Sequence, residues 1–109
     1  MAKTNREIEN PFIIRVSVKD RDGKYRKVSV SPVLYSAVAE VGARQPIPVM
    51  ADEVIKKAAA RLSPDDAPKS SFSRLVQDEL VLCLVELLAG EETKDRVIQR
   101  VLQAEAEFD

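Results

Sequence analysis

Two stretches near the start of the chain, Phe12 to Lys19 and Lys24 to Ser31, alternate apolar and polar residues and are rich in Val, Ile and Ser. A period of two puts successive side chains on opposite faces of a strand, so the pair reads as a β-hairpin around Arg21-Asp22-Gly23. Two-residue closure at Asp22-Gly23 would pair Val18 with Lys27 and set apolar against polar. A three-residue loop instead puts Gly23 in the left-handed position such loops favour and pairs Val16 with Val28 and Ile14 with Val30. In that register Ile14, Val16, Val18, Val28 and Val30 share one face, with Arg26 at its rim. The other face holds Arg15, Ser17, Lys19, Tyr25, Lys27 and Ser29, three basic groups and no acid.

The period then changes to that of a helix. Ser31-Pro32 is an N-cap followed by proline at the first helical position, and Leu34, Ala37, Val38 and Val41 recur at i, i+3, i+4 and i+7 up to a stop near Gly42. Pro46 and Pro48 interrupt helical structure, and a second helix is predicted from about Val49 to Leu62 on the spacing of Ala51, Val54, Ile55, Ala58 and Leu62. The polar stretch from Ser63 to Ser70 contains Pro64 and Pro68 and predicts a linker. Ser71 caps a third helix that runs through Leu75, Val76, Leu80, Leu82, Leu84, Leu87 and Leu88 to Gly90. A fourth, from roughly Thr93, carries a stripe of Val97, Ile98, Val101 and Leu102 and ends on Glu105, Glu107 and Asp109. The expected architecture is α+β: an N-terminal β-hairpin, two helices and a C-terminal helical hairpin. It divides into a flexible arm over 1–11 with Lys3 and Arg6, a folded unit over 12–62, a linker over 63–71 and the helical hairpin over 72–109.

Composition narrows the chemistry. Among 109 residues there is no histidine, one cysteine and only three glycines, so the commonest general base, any Cys/His zinc set and any glycine-rich phosphate cradle are missing. No nucleophile and base can be assembled, and the expectation is a protein that is not an enzyme, with no cofactor and no metal. Asp65-Asp66 and Glu91-Glu92 flank predicted helices, where acids are structurally ordinary, and Cys83 lies in an apolar run as a small hydrophobe. The longest uncharged run, Val28 to Ala39, is too short to span a bilayer, and Met1-Ala2-Lys3 leads into no apolar signal segment. The expectation is therefore a cytoplasmic protein with no membrane partner.

The net charge of −1 conceals a split. Residues 1–62 carry 12 Lys/Arg against 7 Asp/Glu, a net +5, and residues 63–109 carry 5 against 11, a net −6. A basic half beside an acidic one points to local nucleic-acid contact on the basic side. The apolar density from Leu80 to Leu88 exceeds what one short hairpin can cover and predicts a homodimer or a protein partner at the C-terminal helices.

The order of strand, serine-capped helix, break and second amphipathic helix resembles the ribbon-helix-helix family of bacterial DNA-binding proteins, of the MetJ/Arc/CopG type. The similar stretch is Lys24 to Leu62, about a third of the chain, and Asp52-Glu53-Val54-Ile55-Lys56-Lys57-Ala58 looks like that family's Ser-Glu-Leu-Ile-Arg-Glu-Ala start to its second helix. The resemblance implies a strand from each of two subunits paired antiparallel, docked in the DNA major groove as β-ribbon readers dock. By position, Tyr25, Lys27 and Ser29 would face the bases, with Arg15 and Lys19 beside the groove. It implies a homodimeric regulator of bacterial or plasmid transcription or partition, with double-stranded DNA as partner. The chain departs from the family in having Pro46 and Pro48 between the helices and an additional strand before the ribbon. The competing expectation is a protein-interaction adaptor or antitoxin-like module without direct DNA contact.

Overall fold

In the computed structural model, residues 13–108 are described, so Phe12 and the arm with Lys3 and Arg6 lie outside the described residues. The chain is α+β, an antiparallel two-stranded hairpin followed by four helices. Strand β1 is Ile14–Lys19 and strand β2 is Tyr25–Val30, paired Ile14 with Val30, Val16 with Val28 and Val18 with Arg26. This is the register that sequence alternation requires, and Gly23 takes the positive φ of 82° that three-residue closure needs.

Helix α1, Pro32–Ala43, is capped by Ser31, whose hydroxyl accepts from the Leu34 N–H. At its end the polypeptide folds straight back: Val49 N–H donates to the Gly42 carbonyl at 3.0 Å. A Cβ at residue 42 would collide with the Val49 carbonyl oxygen, so glycine is needed there for the close approach. Helix α2 is Ala51–Ala60, shorter than the expected Val49 to Leu62. Val49 is held by Gly42 at the near end. At the far end Leu62 is drawn off the helix, its carbonyl accepting the N–H of Arg21 in the hairpin turn at 2.8 Å.

Ser63 is buried and opens a 3-10 turn, Pro64–Asp66, with a capping box: its hydroxyl accepts the Asp65 N–H and the Asp66 carboxylate accepts the Ser63 N–H. Helix α3, Phe72–Ala89, is capped by Ser71 and stopped by Gly90 at φ 95°. Helix α4, Glu91–Phe108, starts two residues before the expected Thr93, because Gly90 alone joins the helices and its carbonyl accepts from Lys94 N–H.

One core spans the hairpin and the first three helices. Val16, Val18, Val28 and Val30 beneath the strands meet Val38 of α1, Ile55, Ala58 and Ala59 of α2, and Val76 and Leu80 of α3. Small residues on α2 let it approach the strands closely, while Ile55, with no exposed surface, supplies much of the volume. Helix α4 has no buried residue among those described and packs on α3, with Lys94 Nζ reaching Glu86 at 2.6 Å. The radius of gyration is 15.1 Å, against about 13 Å for a compact domain of about 100 residues, an elongation to which this outlying helix contributes. Among the described residues no helix is long and apolar enough to cross a membrane.

Ile55→Ala is expected to lower the unfolding free energy by about 2–5 kcal/mol, since neighbours on three elements cannot all relax into the void. Val33→Ala, at a site 81% exposed, should change it by less than about 0.5 kcal/mol. Urea denaturation followed by circular dichroism measures both.

Candidate nucleic-acid interface

The outward face of the hairpin is set by what its turn holds inward. Asp20 directly follows β1 and is buried. One carboxylate oxygen accepts the N–H groups of Asp22 at 2.9 Å and Lys24 at 3.0 Å, and the other accepts Arg26 Nε at 2.6 Å. Arg26 in turn lies over the Phe72 ring, 5.6 Å from its centroid, tying the turn to the first residue of α3. The adjoining side chains anchor the same turn: Arg21 makes a forked ion pair with Asp66 at 3.1 and 3.3 Å, and Ser63 hydroxyl donates to Asp22 at 3.4 Å. The hairpin is thus fastened at its tip as well as beneath.

With the valines inside, pairs Arg15–Ser29, Ser17–Lys27 and Lys19–Tyr25 stand on the outer face. Arg15, Lys19, Tyr25 and Lys27 are exposed, Tyr25 by 78%. The Lys19 ammonium lies over the Tyr25 ring at 4.8 Å, a cation–π contact that orders both side chains without removing the charge. Ser29 is only half-buried on this face rather than open, because α3 runs along its edge: its N–H donates to Ser73 Oγ at 2.9 Å, and Ser31 N–H donates to Gln77 Oε1 at 3.1 Å. All five residues singled out in the sequence are brought to one surface.

Four contributors are not among the residues expected from sequence: Lys56, Ser73, Gln77 and Asp20. Lys56 of α2 lines a hollow of about 340 Å3 with Ser17, Lys19 and Tyr25, extending the basic surface past the edge of β1. Its place in the helical repeat was visible, but which element it would approach was not. Ser73 and Gln77 carry no periodic signal at all. Asp20 had one, since an Asp opening a turn commonly accepts the N–H two residues on.

The start of α2 has Met50 at its cap with no side-chain bond and Asp52 and Glu53 in its first turn. Asp52 accepts the Tyr35 hydroxyl at 2.6 Å, fixing α1 to α2. Two carboxylates there oppose an anion. Among the described residues, no group of three or more His, Cys, Asp and Glu is placed to hold a metal ion. Comparison with known protein families, with characterised proteins and with solved structures gives no match.

The hydrogen bond from Arg26 holds the Asp20 carboxyl below its ordinary value of 3.8, outweighing burial, and the N–H groups of Lys24 and Asp22 add to it. A carboxyl that titrates lower when folded stabilises the fold above its unfolded pKa and ceases to do so as pH falls through the folded value. Asp20→Asn is expected to be less stable than the parent near neutral pH and to approach it in strong acid. Urea midpoints at about pH 7 and about pH 2.5 test this, and a constant difference across that range would show that the charge contributes nothing.

Proposed function

We propose that the protein is a homodimeric, sequence-specific DNA-binding protein of ribbon-helix-helix type, a small bacterial or plasmid regulator of transcription or partition, which offers the outer face of its hairpin to the major groove. The observation that carries this reading is the face itself: Arg15, Lys19 and Lys27 with Ser17, Tyr25 and Ser29, no acid, on a two-stranded ribbon whose other side is committed to the core. The major groove admits a two-stranded ribbon, lysine and serine reach base-edge acceptors, and the surrounding cations neutralise phosphates. Lys56 beside Lys19 lengthens the charged track.

In the family that the chain resembles, the ribbon takes one strand from each subunit. Pairing through the outer edge of β2 would here have to displace Ser73 and Gln77 from the N–H groups of Ser29 and Ser31. The β1–β2 hairpin is already a ribbon within one chain, so DNA contact does not need that exchange. The dimer in this reading covers the apolar side chains that α3 and α4 expose, Val81, Leu88, Val101 and Leu102, the last two half-exposed on a helix with no buried residue among those described. Light scattering at micromolar concentration should give twice the chain mass; the monomer mass would remove the dimer.

Lys27→Ala is expected to weaken binding to duplex DNA and to lower its dependence on salt, and Ser29→Ala to relax base preference, with losses of about 1–3 kcal/mol for a true base contact. Arg100→Ala removes one cation on the exposed side of α4 and serves as control. Fluorescence anisotropy across a salt series measures all three. Equal losses for Lys27→Ala and Arg100→Ala, or none for either, would make the face a solvated surface and favour the adaptor, for which the exposed side chains of α3 and α4 would be the contact.

A further inference from the structure

A cavity of about 490 Å3 borders α2 on a different side from the hairpin hollow, with Lys57 at the one and Lys56 at the other. Its walls are apolar and come from three helices and the strap between two of them: Val38 and Val41 of α1, Val49 of the strap, Val54 of α2, and Leu84 and Leu87 of α3. The strap is fixed, since Gly42 accepts its Val49 N–H, so the concavity is built into the fold. Two cations stand at its border one helical turn apart, Lys57 and Arg61. Arg61 is engaged, its guanidinium 3.1 Å from Glu79. Lys57 has no ion-pair partner among the described residues, and the lining contains no carboxylate.

An apolar cavity of this size with an unpaired cation, exposed Lys57, at its border has the make-up of a small-molecule site, and the charge selects the ligand. We propose that it binds an alkyl carboxylate of medium chain length, the tail against the valines and leucines and the head paired with the Lys57 ammonium. The tail contributes by removing apolar surface from water, and the head gains a charge-assisted hydrogen bond that an alcohol cannot match. This inference does not rest on DNA binding.

Cys83, the chain's one thiol, lines the same cavity and reports on its occupancy. The experiment follows maleimide alkylation of Cys83 by intact mass, on the full chain, with decanoate or decanol at submillimolar concentration. Decanoate should slow alkylation, decanol should do so only at higher concentration, Lys57→Gln should raise the decanoate needed roughly tenfold, and Lys57→Arg should restore it. Circular dichroism confirms that the variants fold. No slowing by decanoate overturns the site. Equal slowing by the two compounds, unchanged in Lys57→Gln, overturns the role of the charge. Protection that grows with protein concentration when neither compound is present means that a second copy fills the cavity, which also overturns the proposal.

Discussion

The Asp20 carboxylate decides which way every side chain of the hairpin points. By accepting two N–H groups of the turn and the Arg26 guanidinium, it closes a three-residue loop, and a slip of one residue would require all three bonds to break at once. A carboxylate buried without such partners would be costly, so the turn and the ion pair stabilise one another. The consequences extend outward. With the register fixed, four valines are committed to the core, and Arg15, Lys19, Tyr25 and Lys27 have nowhere to lie but the outer face.

Helix α3 is the second constraint. Its Val76 and Leu80 close the core beneath the strands, and its Ser73 and Gln77 occupy the exposed edge of β2. An uncovered edge of unpaired N–H groups invites pairing with another chain, and these two side chains blunt it over the last residues of the strand. Core closure and edge protection thus come from one helix, four residues apart at each step from Ser73 through Gln77 to Val81 on one side and from Val76 to Leu80 on the other. A piece of the chain ending near Ser63 would lack both contributions.

The hairpin register, the Ser31 and Ser71 caps and the Gly90 stop were legible because each rests on local chemistry: alternation, a hydroxyl that accepts an N–H, a residue tolerant of positive φ. The ends of α2 were not, because they are set by partners distant in sequence, Gly42 for Val49 and Arg21 for Leu62. The Ser63 to Ser70 stretch read as a linker from its prolines, although Ser63-Pro64-Asp65-Asp66 also has the spacing of a capping box; what buries Ser63 is the hairpin turn, through Asp22 and through Arg21 on Asp66. Of the candidate face, the five residues chosen from alternation do share a surface, but periodicity within one strand carries no information about Lys56 or Ser73, which arrive from other helices.

Helix α2 stands between the two surfaces that carry unassigned chemistry. Adjacent residues on a helix point about 100° apart, and Lys56 lines the hollow beside Ser17 and Tyr25 while Lys57 borders the apolar cavity. The helix is held against rotation by Ile55, Ala58 and Ala59 in the core, by Tyr35 on Asp52 at one end and by Arg61 on Glu79 at the other. Occupancy of the cavity would be felt at the hairpin face through movement of α2, or of α3, whose Leu84 and Leu87 line the cavity and whose Ser73 and Gln77 hold the edge of β2, and linkage demands that the effect run equally in both directions. If neither helix moves, no displacement couples the two surfaces, however tightly either is filled.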